Sequence, residues 1–304
     1  MCIRYAHRPL FLQGPFFIAG NAAFSVAPMT FTRTRIAPTP SGYLHRGNAL
    51  SFLLTARRAR EAGARLLLRI DDMDRDRLRP EYVQDVFDTL AFLEIRPDEG
   101  PVNALDFEAH WSQRHRLPLY EAALRQLRES GRLFACTCSR AALLQAHPDG
   151  IYTGTCRHKG LPLDTPGAAW RLRTDATAPL RVQLPGGAFR TAPLPENQTD
   201  FIVRKKDGFP AYQLCSLVDD GHFGVDYIVR GEDLWDSTLA QLYLARVLGD
   251  EAFAACTFEH HPLLLDASGG KLSKSAGAAS IRHFRAAGGT LEELIRSTGS
   301  GLYP

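Results

Sequence analysis

Between Thr34 and Ile70 the chain runs through an apolar strand, a proline-stiffened turn, an apolar-striped helix and a second apolar strand. No other stretch constrains the fold as much. Thr34-Arg35-Ile36-Ala37 reads as a short strand stopped by Pro38 and Pro40, because proline lacks the amide that a ladder needs. Asn48 suits the cap of a helix reaching about Ala62, with Leu50, Leu53, Leu54 and Ala56 on its apolar side and Gly63 as its stop. Leu66 to Ile70 then returns as a nearly continuous apolar run. Two strands joined by a crossover helix form a parallel, buried βαβ unit, so an α/β architecture is expected.

The remaining pattern is consistent with that class. After the acidic run Asp71 to Asp76, Pro80 opens a helix reaching roughly Leu93, and a further helix from Tyr120 to Ser130 stops at Gly131. From Phe134 to about Pro195 the texture changes to cysteines, turns and short alternating strands such as Ala169 to Arg173, which reads as an insertion between two halves of the sheet. α/β texture resumes at Phe201 to Arg204, continues through Ala211 to Val218 and Tyr227 to Arg230, and enters a helix over Leu234 to Leu248. Pro262 to Leu265 is read as the last strand, followed by a lysine loop and a short helical tail. The expected division is an extension over 1–28, the first half of a nucleotide-binding domain over 29–133, an inserted subdomain over 134–197, and the second half over 198–304.

With 304 residues there is room for one large domain or two modest ones. Arg4 and Arg8 precede an apolar run that superficially resembles a signal peptide, but Gln13, Gly14, Pro15 and Asn21 interrupt it. Residues 1–28 are read as a flexible extension upstream of a natural start at Met29. No segment approaches the roughly 20 apolar residues of a membrane span, so no membrane partner is expected. A net charge of +3 does not by itself mark a nucleic-acid binder. Of six cysteines, Cys136, Cys138 and Cys156 cluster while the others are scattered, which favours a reduced compartment and a metal site over a disulfide framework. Three unligated cysteines in a small core are the plainer alternative.

Two stretches carry the chemistry. Gly42, His45, Gly47 and Asn48 stand directly before the first helix, and Lys271, Ser273 and Lys274 lie on a Gly/Ser-rich loop more than two hundred residues later. A helix N-terminus favours phosphate, glycine lets the backbone approach it, and His45 can donate where charge develops. The two lysines would close the other side of a triphosphate, the kind of clamp that stabilises adenylation. Taken singly, such a turn is more often only a turn, and such a loop only solvated surface. Their joint occurrence in one α/β pattern points to ATP.

His45-Arg46-Gly47-Asn48 resembles the HIGH signature of class I aminoacyl-tRNA synthetases, and Lys271-Leu272-Ser273-Lys274-Ser275 resembles their KMSKS loop. Thr34 to Gly42, Leu68 to Asp74 and Ile228 to Asp233 are similar to segments of the glutamyl branch. The resemblance covers roughly residues 33–280 and implies a Rossmann-like catalytic domain. Because the chain ends about thirty residues after Ser275, it most resembles the glutamyl-queuosine tRNA(Asp) synthetase family, which lacks the anticodon-binding domain of full-length glutamyl-tRNA synthetases. Members activate glutamate with ATP and Mg²⁺ and transfer it to queuosine in the tRNA(Asp) anticodon. The spacing Cys136-x-Cys138, Tyr152, Cys156 is similar to that family's zinc ligands, and three thiolates with a phenolate can complete a tetrahedral site. His158 is the reserve fourth ligand.

The resemblance further implies that Arg35, Ala37 and Thr39 line the amino-acid pocket, with Arg35 pairing to the glutamate side-chain carboxylate. Asp71 would hold the ammonium, and Tyr212 and Arg230 would complete the site; simple core packing for Tyr212 and an ion pair from Arg230 to Asp233 or Asp236 are the plainer readings. His45, Lys271 and Lys274 would stabilise the transferring phosphate. The family usually has Glu where this chain has Asp71, as glutaminyl enzymes have Asp; Thr39, where those enzymes have glutamate, favours glutamate as substrate. A shortened synthetase charging the tRNA 3′ end and a non-catalytic RNA-binding homologue are the alternatives. Arg57, Arg58, Arg60, Arg204, Lys205 and Lys206 are either solvated charge or a phosphate track. A cytoplasmic monomer is expected.

Overall fold

The computed structural model describes residues 30–175, 178–264 and 280–297. The extension over 1–28 and the residues Lys271, Ser273 and Lys274 lie outside the described residues. In chain order the elements are β1 (Arg33–Ile36), α1 (Arg46–Ala62), β2 (Arg65–Leu68), α2 (Pro80–Phe92), α3 (Ala104–Asp106), α4 (Leu117–Glu129), β3 (Leu133–Cys136), α5 (Arg140–Ala146) and β4 (Ala169–Leu172). They continue as β5 (Leu180–Gln183), β6 (Phe189–Ala192), β7 (Ile202–Arg204), α6 (Tyr212–His222), β8 (Tyr227–Gly231), α7 (Trp235–Leu248), α8 (Glu251–Ala254), β9 (Thr257–His261), α9 (Ile281–Ala286) and α10 (Leu291–Ser297).

The expected βαβ unit is present, with β1 and β2 parallel in the register Arg35↔Leu67. Its helix begins earlier than Asn48. His45 is the extended N-cap, and Asn48 is the third helical residue, its Oδ1 accepting the His45 N–H at 3.0 Å. An amide side chain at that position reaches back to the cap as glutamine does in a capping box, which is why Asn48 reads as a cap in sequence. Gly63 closes the helix in the left-handed region at φ 62°.

The main sheet has the order β2-β1-β8-β9-β5-β6, parallel except for the outer strand β6. β3, β4 and β7 form a separate antiparallel sheet. Two strands fall on the other sheet from the one their position in sequence suggests. β5, within the cysteine-bearing stretch, extends the main sheet, because Leu180 and Val182 alternate inward and the strand pairs in parallel at Gln183↔Thr257. β7, where α/β texture resumes, instead joins β4. Among the described residues the last strand is Thr257–His261, and Pro262 to Leu264, the described part of the expected strand, does not continue it; Pro262 has no N–H to extend the ladder.

The small sheet is two-faced in the period of a strand. Leu133, Leu172 and Val203 enter the large core shared with α4, α6 and α7, while Phe134 and Cys136 of β3 turn to a separate cluster with Tyr152 and Cys156. A second core packs α1 and α2 over β1 and β2 and takes in Ile281 of α9 and Leu294 of α10. Among the described residues no helix is long and apolar enough to cross a membrane.

Candidate active site and cysteine cluster

At the C-terminal ends of β1 and β8, where ligands bind in open parallel sheets, lies a cavity of about 770 Å³. Every described residue that the sequence assigns to the ATP or amino-acid site lines it. Arg35, Ala37 and Thr39 come from β1 and its turn, and Gly42, His45, Gly47 and Asn48 from the entrance to α1. Asp71 follows β2, Tyr212 opens α6, and Arg230 ends β8. At Gly42 an added Cβ would meet no protein atom within 4 Å, so the missing side chain leaves space for a ligand; at Gly47 it would meet the His45 ring at 3.0 Å. The cavity also reaches the described flanks of the lysine segment: Leu264 lines it, and Ser280 pairs with His45 through a β-bridge.

The floor is a lattice of buried ions. Arg69 holds both oxygens of Asp71, at 2.7 and 3.1 Å, and reaches Asp220 at 2.6 Å. Asp220 also receives Arg35 Nε at 3.0 Å, while Asp219 accepts from Arg116, Gln113 and the Tyr120 hydroxyl. Each is under a tenth exposed. Burial raises the Asp71 carboxyl above its ordinary range against the pull of Arg69. Around Asp220 the order reverses: burial acts upward, but Arg35, Arg69 and Arg230 together hold it below the usual carboxylate range.

Arg230 differs from its neighbours. It donates through Nη1 to Thr238 Oγ1 and Gln241 Oε1, at 3.2 and 2.9 Å, and not to Asp233 or Asp236. Its Nε and Nη2 are buried without a partner. Burial, with nearby Arg35 and Arg69, lowers it to about 10, still a cation at neutral pH. Arg35, Arg69, Arg116 and Arg230 stand against Asp71, Asp219 and Asp220, so four guanidiniums against three carboxylates leave one positive charge in excess. A buried, incompletely paired guanidinium on a cavity floor is the complement of a carboxylate. Sequence reading missed Arg69, Asp219 and Asp220, whose partners lie up to 185 positions away.

At the other end, Ser51 Oγ lies 2.6 Å from His261 Nε2, and the His261 Nδ1 is 2.9 Å from the Pro262 carbonyl. That carbonyl can only accept, so Nδ1 carries the proton and, in the neutral ring, Nε2 accepts from Ser51. Of the basic runs, Arg57 and Arg58 pair with Glu61 and Glu259, Lys205 pairs with Asp207, and Lys206 donates to the Thr137 carbonyl between two of the cysteines.

The thiols of Cys136, Cys138 and Cys156 all lie within 4.8 Å of one another, with Cys138 and Cys156 3.5 Å apart. Tetrahedral zinc, with Zn–S near 2.3 Å, needs sulfurs about 3.8 Å apart, so the donor set fits a metal. Tyr152 is buried with its hydroxyl accepting the Cys156 N–H at 2.7 Å, and Arg171 stacks over its ring at 3.8 Å. His158 is exposed and stands outside this cluster.

Residues 32–159 and 171–298 match the family model for tRNA synthetases class I (E and Q), catalytic domain. The chain thus carries the catalytic domain of a class I synthetase. Similar curated proteins are the glutamyl-Q tRNA(Asp) synthetases of Symbiobacterium thermophilum, 39% identical over 86% of this chain and 83% of that protein, and of Rhodobacter capsulatus, 35% identical over 88% and 99%. The chain belongs to the glutamyl-Q tRNA(Asp) synthetase family. A solved glutamate tRNA ligase from Elizabethkingia meningosepticum, in complex with its amino acid, shares the fold at a TM-score of 0.63 and 23% identity, covering 81% of this chain. This chain spans about half of it, 52%.

Proposed function

We propose that the chain joins glutamate to the queuosine of tRNA(Asp) in two ATP-driven steps, as a cytoplasmic monomer. In the first, a glutamate α-carboxylate oxygen attacks the α-phosphorus of ATP, the bond to the β-phosphate breaks, and glutamyl-AMP and pyrophosphate form. In the second, a queuosine hydroxyl attacks the activated carbonyl, the carbonyl–oxygen bond to AMP breaks, and the hydroxyl proton leaves with AMP or to water. No covalent enzyme intermediate is required, so positioning and charge stabilisation do the catalysis.

The observation that carries this reading is the cationic floor with Arg230 left unpartnered at its buried Nε and Nη2. Arg230, with Arg35 beside it, takes the side-chain carboxylate; glutamine supplies no charge there and leaves the excess cation uncompensated. Asp71, fixed by Arg69, faces the ammonium, and Tyr212 closes that wall. Gly42, His45, Gly47 and Asn48 receive the phosphates at the mouth of α1, with Lys271, Ser273 and Lys274 contributed from the segment between Leu264 and Ser280. Mg²⁺ accompanying ATP would neutralise phosphate charge. Cys136, Cys138, Cys156 and Tyr152 would hold zinc, which would fix the chain around the outer face of the β3-β4-β7 sheet. The test is transfer of labelled glutamate to tRNA(Asp) carrying or lacking queuosine. Label only on the queuosine-containing tRNA, resistant to removal of the 3′ adenosine, supports the proposal; label lost with that adenosine overturns it.

A further inference from the structure

Beside the main cavity lies a second one of about 340 Å³, a volume at the low end of small-molecule sites. The two share Tyr212, and the backbone from Pro210 to Gln213 is the wall between them. Three features make the second cavity a built recess rather than a seam between the small sheet and α6. Tyr212, which lines both cavities, is 42% exposed. Arg171, only 5% exposed, lines the recess with Nε buried and unpartnered, while its Nη1 is held by the Asp200 carbonyl and its plane rests on Tyr152. Gln213 presents a buried, unpartnered Oε1, and its Nε2 makes only long bonds of 3.3 Å to Gln198 and Ser237.

Arg171 therefore has a donor and Gln213 an acceptor left unpaired in the lining of the recess, with Gln198 and the half-exposed Tyr212 lining it beside them. Proteins read single-stranded nucleotides with this combination: stacking on an aromatic ring, and side-chain amides and guanidinium on the base edge. A guanine-like edge presents both acceptors and donors, and satisfies Arg171 and Gln213 together.

We propose that this recess receives the unpaired acceptor base of the tRNA, stacked on Tyr212 and read by Arg171, Gln198 and Gln213. A substituent of that base then crosses the Tyr212 wall towards the activated glutamate. The assignment rests on the acceptor reading above and adds where the base sits. It explains why Tyr212 stays exposed although it lines the amino-acid site.

Two measurements test it. In the first, hydrogen exchange of the unmodified protein is followed with free queuosine nucleoside as the probe. Slowed exchange over 197–201 and 211–214 is expected; protection confined to 35–48, or none, overturns the assignment. In the second, Gln213→Leu is compared with the unmodified protein by the ratio of kcat/KM for transfer to kcat/KM for glutamate-dependent ATP–pyrophosphate exchange. Leaving a bound polar edge unpaired should lower that ratio at least about tenfold. A ratio unchanged in a folded variant contradicts the proposal. Failure of the unmodified protein to transfer glutamate at all would instead sink the functional reading, which keeps the two outcomes apart.

Discussion

The cavity floor and the cysteine cluster solve the same problem, holding polar groups in place inside protein, by different means. On the floor, Asp71, Asp219 and Asp220 are fixed by arginines and a tyrosine that the sheet, α4 and α6 bring together, and the large core surrounds them. In the cluster, Cys136, Cys156, Tyr152 and Phe134 make a core of four buried residues on the outer face of a three-stranded sheet. The floor supplies its own counter-charges and has one cation to offer a ligand. The cluster has three thiols with little around them, so its order depends on what the thiols bind. On the proposed function the ion lattice serves recognition, and the thiol cluster serves shape.

The sharpest way to break this contrast is at Arg230. Arg230→Ala should lower kcat/KM for glutamate-dependent exchange by about a thousandfold, roughly 4 kcal/mol, the loss of a buried charge pair with substrate. Steady-state exchange kinetics measure it, and a loss under about tenfold would show that the open guanidinium does not meet the substrate. Next comes Asp220→Asn, which leaves the Arg35 and Arg69 cations short of a counter-charge. Denaturant unfolding should show about 3 kcal/mol of lost stability; a change below about 1 kcal/mol would mean that the lattice is not structural.

Acid probes the same lattice through His260, whose Nε2 lies 2.9 Å from Thr238 Oγ1, the hydroxyl that also accepts from Arg230. Burial, with Arg230, His261 and Arg190 adding, lowers this imidazole from 6.5 to about 4. Between those values the unfolded chain binds the extra proton. Stability from this group is therefore complete above about pH 6.5 and declines as pH falls towards 4, by on the order of 2 to 3 kcal/mol. Unfolding curves across that range should flatten in His260→Phe; an unchanged slope would remove His260 from the account. The smallest effect belongs to the cluster: chelation should speed amide exchange over 133–158 at least about tenfold while β1 and β8 hold. Equal acceleration in both regions would erase the distinction drawn between them.

What could be read from the chain followed the range of the interactions. The β1–α1–β2 unit was legible because strand, turn, helix and Gly63 stop are adjacent in sequence, and the cysteine spacing because its members fall within one short stretch. Arg69, Asp219 and Asp220 were not, since an arginine after a strand and two aspartates in a helix look like ordinary surface charge until the fold joins them. β9 was hidden for a related reason. Glu259-His260-His261 reads as polar, yet His261 turns into the cavity beside Ser51. The place of β5 on the main sheet depends on pairing with Thr257, far along the chain, and no local pattern carries that information.

Glutamate-dependent ATP–pyrophosphate exchange on the purified protein without tRNA, with glutamine and aspartate alongside, addresses the central claim most directly. Exchange with glutamate alone is predicted, because on the proposed function its side-chain carboxylate meets the unpartnered edge of Arg230 while its ammonium meets Asp71. Exchange with glutamine equal to that with glutamate would contradict the cationic floor as the element that selects the substrate.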